Sequence, residues 1–377
     1  MAYLTQLQLT HFRNYDQARL SDLPRGFVIL TGPNGAGKTN VLEAVSLLSP
    51  GRGLRGAKVG EMQKSDSTTP WAVAARAMSA GQEVRLGTGR DVASDKRIVR
   101  INGETVSAKA VLGDYLSCVW LTPQMDGLFT GSAAERRRFF DRLVFAFDPG
   151  HAGRITRYDN AMRQRAKLLQ DGVNDAVWLA GLEAQMAETG VAIAAARRDF
   201  LQRIQTTIEQ GDAKTKAHFP LAAMVLNGFL ETRIDAMPAV KLEERFCEAL
   251  RKARPQDAER GGAAIGTHRT DWMVRYAGRD MPAEQCSTGE QKALLIGIVL
   301  AHARLLAVEL EAPPVLLLDE VAAHLDEQRR AALFALLDAM QGQVWLTGTD
   351  PGLFRDAPAS ARYLQVTGNT INEHATG

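Results

Sequence analysis

Hydrophobic and polar positions divide the chain into three stretches of different period. Up to about residue 130, apolar runs recur at strand length: Leu4–Leu9, Phe27–Thr31, Trp71–Ala77, Ile98–Ile101 and Leu116–Leu121. An Asn102-Gly103 turn follows the fourth run. From about 135 to 255 the pattern becomes helical. Ala176–Gln210 is long, rich in Ala, Gln, Glu and Arg, and free of proline, while Pro149, Pro220 and Pro238 mark breaks between helices. After about 263 short strand-like runs return with Trp272–Tyr276, followed by an apolar helix from Thr288 to about Glu309. Val315–Leu318 and Val344–Thr347 are continuous rather than alternating, the pattern of parallel strands buried on both faces. The layout predicted is an α/β head split in sequence, with a helical segment inserted. Its parts are an amino-terminal lobe over 1–130, a helical insertion over 131–260 and a carboxyl-terminal lobe over 261–377.

Between the strand ending at Thr31 and a run of helical spacing, Asn40–Leu48, lies Gly32-Pro33-Asn34-Gly35-Ala36-Gly37-Lys38-Thr39. Strand, glycine loop and helix in this order match G-x-x-x-x-G-K-[ST] in the context the motif requires. Glycines at 32, 35 and 37 let the backbone wrap a polyphosphate and present N–H groups and a helix N-terminus to it. Lys38 adds a point charge near the β- and γ-phosphates, and the Thr39 hydroxyl is placed to ligate Mg²⁺. The sequence therefore predicts binding of a nucleoside triphosphate.

Val315-Leu-Leu-Leu-Asp319-Glu320 is an apolar strand ending in two carboxylates. The carboxyl end of a strand beside a glycine loop is where the metal of such a fold sits. Asp319 is expected as the Mg²⁺ partner, and Glu320 as the base that orients and deprotonates the attacking water. Ser287-Thr-Gly289-Glu-Gln291 opens the apolar helix and leaves a hydroxyl and N–H groups at its positive end. Ser287 with Glu290 three residues on equally fits an ordinary capping box.

Composition narrows the setting without naming a partner. The chain has 377 residues, 45% hydrophobic and 23% charged, with a net charge of only +2, so any nucleic-acid surface must be local. Cys118, Cys247 and Cys286 have neither CxxC nor zinc spacing and read as reduced core thiols. The amino terminus lacks a basic and an apolar region of a signal peptide, and the longest apolar stretch, Ala293–Ala301, is too short to span a bilayer. A cytoplasmic protein without a membrane partner is expected.

The order of glycine loop, S-x-G-x-Q, apolar strand with Asp-Glu and then His324-Leu325-Asp326 resembles the ATP-binding cassette class. In that class the helix opened by Ser287 caps the γ-phosphate held by a second subunit's glycine loop. The interval from Lys38 to Ser287 exceeds that of transporter ATPases, and the residues after the last core strand, Leu346-Thr-Gly-Thr349-Asp, lack the usual His. The interval is too short for the long heptad-filled insertions of SMC proteins.

The chain is similar instead to the RecF family, recombination-repair ATPases that look like an SMC head without the long coiled coil. The resemblance is carried by His11-Phe-Arg13-Asn14-Tyr, Gly51-Arg52-Gly-Leu-Arg55-Gly, and Leu121-Thr-Pro-Gln124 leading into Gly131–Asp141. Gly266-Thr-His268-Arg269-Thr-Asp271 and the run from Leu318 to Arg330 complete it. Departures from the family's usual residues are Gln124, Ala133, Thr267, Glu320 and His324, and none removes a catalytic group.

This resemblance implies a slow ATPase that dimerises around ATP on DNA near single-strand/double-strand junctions and works with RecO and RecR to load RecA. It adds Arg13, Asn14, Asn40 and Arg55 to the expected nucleotide set, with Arg13 and Asn14 alternatively packing the first strand. Gln124 is a candidate metal- and water-sensing residue or a plain turn residue. For DNA, nine Lys/Arg against three Asp lie between Arg136 and Lys167, and six basic against three acidic residues between Arg85 and Lys109. Arg154, Arg157, Arg163, Arg165 and Lys167 are the candidate phosphate contacts, a solvated helix face being the alternative. Arg136 and Arg137 match a family motif and alternatively enter a buried ion-pair network. A transporter ATPase subunit is the competing function.

Overall fold

The computed structural model describes residues 2–106, 109–173, 175–211 and 213–373. In chain order the first elements are β1 (Tyr3–Phe12), β2 (Tyr15–Leu20), β3 (Phe27–Thr31), α1 (Lys38–Ser46), β4 (Ala72–Ser79), β5 (Gln82–Arg90), β6 (Arg97–Ile101), β7 (Glu104–Val106) and β8 (Cys118–Leu121). Helices then dominate: α2 (Ala133–Phe145), α3 (His151–Gln170), α4 (Ala176–Glu209), α5 (Ala213–His218), a strand β9 (Ala222–Asn227) and α6 (Ala239–Arg260). The remainder is β10 (Asp271–Tyr276), β11 (Met281–Pro282), α7 (Thr288–Glu309), β12 (Val315–Leu318), α8 (Glu327–Ala339), β13 (Val344–Gly348), β14 (Arg362–Thr367) and β15 (Thr370–Glu373). The chain forms two compact units: Met1–Asp126 with Asp212–Phe219 and Leu295–Gly377, and Gly127–Gly211 with Pro220–Leu294.

The first unit is built on two sheets. One has the order β15-β14-β3-β13-β12-β8, and its β14, β3, β13, β12 and β8 run parallel. All five residues of β3, all four of β12 and all five of β13 are buried, as continuous apolar runs require in a sheet covered on both faces. The other sheet, β2-β1-β4-β5-β6-β7, is antiparallel throughout. Its β4 alternates, with Val73, Ala75 and Ala77 inward and Ala72, Ala74 and Arg76 outward, the period-2 signature of a half-wetted sheet. Trp71 closes this core edge-on against Phe12, with ring centroids 5.6 Å apart.

In the second unit α3, α4 and α6 pack around Tyr158, Leu182, Met186, Val191, Leu242, Phe246 and Leu250. A three-stranded sheet, β11-β10-β9, accompanies them. Trp272 of β10 is fully buried and stacks on Phe139 of α2 at 5.5 Å, with Phe140 and Phe129 against its other sides. The segment from 261 to 294 therefore belongs with the helices, and the boundary expected at 260/261 does not coincide with this division. The physical reason is β9. Its six residues interrupt the expected helical stretch and supply the pairing edge for β10, from Asp271↔Asn227 to Tyr276↔Ala222.

Candidate nucleotide-binding site

The glycine loop joins β3 to α1 in the first unit. Gly37 is the N-cap of α1 with φ 110°, and a Cβ there would stand 2.5 Å from the Asn14 amide nitrogen and 2.7 Å from the Tyr15 hydroxyl. Gly32 has φ 149°, and its Cβ would meet the Val366 carbonyl oxygen at 2.1 Å. Only glycine fits either position. No side chain caps α1 and no acid lies in its first turn, so no side-chain cap or first-turn acid offsets the positive end of the helix. That is the local basis of an anion cradle.

Lys38 is 4% exposed, and its Nζ donates to the carbonyls of Gly32 (2.7 Å) and Pro33 (2.9 Å). Burial pushes its ammonium below the usual lysine range, against the opposing pull of the Glu320 and Asp319 carboxylates. Thr39 Oγ1 donates into the Asp319 carboxylate, 3.0 Å from each oxygen. Thr347 of β13 adds a 2.6 Å bond to Asp319 Oδ1, and its own hydroxyl accepts the Glu320 N–H at 2.9 Å. Glu320 itself sits at φ 52°, in the left-handed region, at the carboxyl end of β12. A non-glycine residue held there is a strained position of the kind found at functional sites. Thr39, Asp319, Thr347 and Glu320 thus form one connected polar group at the ends of β12 and β13. Gln124 is exposed in the turn Pro123–Met125, directly after β8, whose Leu121 pairs with Leu318 and accepts the Asp319 N–H.

Arg13 and Arg55 meet on a residue absent from the sequence expectations. Glu43 of α1 is 1% exposed; it receives Arg13 Nε at 2.8 Å, Arg13 NH2 at 2.6 Å and Arg55 NH1 at 2.6 Å. Asn40 Oδ1 also accepts from Arg55 at 2.6 Å, while Asn40 Nδ2 donates to Asn14 Oδ1 at 2.6 Å. Asn14 Nδ2 in turn bonds the Ala36 carbonyl and Asn369 Oδ1. Arg13 and Asn14 therefore brace the loop and α1 rather than merely filling the first strand. Tyr15, fully buried, adds a bond to the Gly37 carbonyl at 3.1 Å.

The residues expected to cap the γ-phosphate lie in the second unit. Ser287 is exposed, but its N–H and Oγ both donate to Glu290 Oε2, at 3.0 and 2.8 Å, and its Oγ accepts the Glu290 N–H at 3.4 Å. The capping box is thus formed. Gly289 is half-buried in the first turn of α7. Gln291 needs correction as a nucleotide side chain: it is 7% exposed and turned inward, its Nε2 donating to the Cys286 carbonyl at 2.8 Å. It ties the turn before α7 to the helix.

The basic stretch of α3 divides by face. Tyr158, Ala161, Arg165 and Leu168 are buried at intervals of three and four, whereas Arg157, Arg163 and Lys167 are exposed. Arg165 is 1% exposed, with Nε on Glu183 at 3.0 Å, NH1 on Asp257 at 2.7 Å and NH2 on the Leu250 carbonyl. It is a core ion pair and leaves the candidate DNA set. Arg154 is half-buried and paired with Asp148. A second buried cluster joins Arg197 to Asp141 and Glu231, with His151 on Asp141 at 2.9 Å. Burial works against the Asp141 charge, but Arg197 and His151 outweigh it and hold that carboxyl at about 2. Arg136, half-buried, is bidentate on Asp271, 2.8 Å on each arm, and so forms an ion pair, whereas Arg137, also half-buried, donates to the neutral Thr270 carbonyl.

A family model described as the RecF/RecN/SMC N terminal domain matches residues 3–372. The chain is 48% identical over 371 residues to the DNA replication and repair protein RecF of Mesorhizobium japonicum, covering 98% of this chain and 97% of that protein. It is 49% identical over 367 residues to RecF of Agrobacterium fabrum, covering 97% and 96%. Its fold is similar to a structure described as the recombination mediator protein RecF-ATPrS in the RecFOR pathway, with TM-score 0.86 and 21% identity over 99% of this chain and 98% of that one. With an α/β head of the RecF/SMC type and this extent of sequence identity, the chain belongs to the RecF family.

Proposed function

We propose that the chain is an ATP-dependent DNA-binding protein of recombinational repair and replication, acting as a slow, switch-like ATPase. The observation that carries this reading is the contact of the Thr39 hydroxyl with both Asp319 oxygens, at the foot of an uncapped glycine-loop helix. The cradle suits a polyphosphate, and hydroxyl plus carboxylate is a hard oxygen pair that suits Mg²⁺. Among the described residues no group of three or more His, Cys, Asp or Glu could hold a metal, and Mg²⁺ on a nucleotide needs none, since phosphate and water supply its other ligands. Bound there, the ion would neutralise charge on the phosphates; Thr39 and Asp319 would hold it.

The chain's own residues supply the rest. Lys38 exchanges its loop carbonyls for the β- and γ-phosphates, and Glu320 takes the proton of the attacking water. Gln124, in the turn after β8, is the candidate to sense that water. Ser287 and the N–H groups around Gly289 complete the γ-phosphate site of a second copy, after Ser287 releases Glu290. ATP thereby favours a homodimer, and hydrolysis removes what bridges it. Arg157, Arg163 and Lys167, with Arg154 in a lesser role, offer phosphate contacts without base reading. The family further points to work beside RecO- and RecR-type partners in the cytoplasm. The transporter alternative is not favoured, because family membership lies elsewhere.

The test is duplex and gapped-duplex binding by the purified chain, measured by fluorescence anisotropy with and without ATP across a range of salt. Binding that strengthens with ATP and weakens steeply with salt supports the proposal. A chain that binds ATP but no DNA at low salt refutes it.

A further inference from the structure

Arg97, the first residue of β6, is 7% exposed, yet no carboxylate pairs with it among the described residues. Its Nε donates to Thr88 Oγ1 at 2.8 Å, NH1 to the Gly51 carbonyl at 2.6 Å and NH2 to the Leu47 carbonyl, all uncharged acceptors. The contrast within the molecule is sharp. Buried Arg165 has Glu183 and Asp257; buried Arg197 has Asp141 and Glu231. Buried charges are ordinarily paired. Leu47 is the C-cap of α1, so the helix end offers Arg97 a partial negative charge of roughly half a unit, which leaves the balance uncompensated. Burial pushes the Arg97 guanidinium down to about 10, low for arginine but still cationic at neutral pH.

Beside it lies a pocket of about 330 Å³ lined by Gly51, Arg52, Gly56, Lys58, Met62 and Arg97 among others, with three cations and no carboxylate in its wall. A guanidinium has five donors, and Arg97 spends three on the protein. Gly51, Arg52, Gly56 and Lys58 are exposed, so the pocket mouth is open to a passing chain. We propose that this pocket is a separate anion site that receives a backbone phosphodiester of DNA, with Arg97 fixed at its floor and Arg52 and Lys58 at its rim. The phosphodiester assignment rests on the DNA-binding reading above; the site itself rests on the charge, the burial and the cavity.

The experiment uses the full chain, with two readouts. Arg52→Ala removes one rim cation from an exposed position. It should weaken duplex binding about fivefold near physiological salt and lower the slope of log affinity against log salt by about one. In parallel, acetylation of Lys58 is followed by mass spectrometry with a short duplex or with inorganic phosphate. The duplex should protect Lys58 at concentrations where inorganic phosphate does not. Protection by phosphate without protection by duplex would make this a free-anion site and overturn the assignment. If wild type binds duplex while Lys58 stays reactive and the Arg52→Ala slope is unchanged, this pocket is not a DNA contact. Should wild type bind no duplex at all, the DNA-binding reading itself falls, and the assignment with it.

Discussion

Glu43→Gln is the most informative single substitution in the nucleotide site. It keeps the size of a side chain that is 1% exposed and removes the charge that holds Arg13 and Arg55 against α1. Three short charge-assisted hydrogen bonds converge on this carboxylate, and the amide can accept only part of them while turning an N–H toward a guanidinium. Breaking a buried ion pair costs about 3–5 kcal/mol. The Arg13 and Arg55 side chains keep 19% and 29% exposure and can be partly rehydrated, which places the expected loss near the lower end, about 3 kcal/mol. Because α1 begins at Lys38 and Thr39, the loss should appear there first. Hydrogen exchange of the 38–46 segment should accelerate and the urea midpoint should fall. Each ~1.4 kcal/mol of lost order in the cradle should weaken ATP about tenfold, read by displacement of a fluorescent analogue. Unchanged exchange in α1, with a destabilisation under about 0.5 kcal/mol, would refute the view that Glu43 braces the site.

Other perturbations separate the remaining parts. Gly37→Ala should abolish ATP binding in a filter assay while the chain stays folded by circular dichroism, since the added Cβ needs the space of Asn14 and Tyr15 at φ 110°. Arg165→Ala should destabilise the second unit by about 3 kcal/mol or more in urea, because Glu183 and Asp257 lose their buried partner, whereas Arg157→Ala should leave stability within about 0.5 kcal/mol and lower only DNA affinity. Burial, with Arg269 and Arg137 nearby, holds His268 down at about 4 against the opposing effect of its bond to the Ala263 carbonyl. The unfolded chain therefore takes up a proton below about pH 6.5 that the folded chain refuses. Stability should fall by up to about 3 kcal/mol between pH 6.5 and 4. His268→Gln should flatten that part of the urea-midpoint profile; an unaltered profile would remove His268 as its source.

What the sequence disclosed follows the range of the interactions involved. The glycine loop, β12 with its two acids and the capping box at Ser287 are each encoded within about ten residues, and strand, loop and helix fall where the pattern puts them. Glu43 was not legible, because its partners are Arg13, thirty positions earlier, and Arg55 beyond a glycine turn, and nothing in an apolar helix marks one acid as bridging. Thr347 was hidden likewise inside a continuous buried strand. Arg165 carries a usable signal: its spacing from Tyr158, Ala161 and Leu168 puts it on the inward face of α3, a period that the net charge of the stretch conceals. β9, Ala-Ala-Met-Val-Leu-Asn, is too short and too alanine-rich to stand out between helices, and only its pairing with β10 reveals why the 261–294 segment leaves the head sheets.

If triphosphate joins two copies of the chain, sedimentation velocity of Glu320→Gln with ATP, Mg²⁺ and a gapped duplex will show it. A stable dimer is expected for this variant, a transient one for wild type, and none for Lys38→Met. A Glu320→Gln chain that sediments as a monomer under saturating ATP and DNA would contradict it.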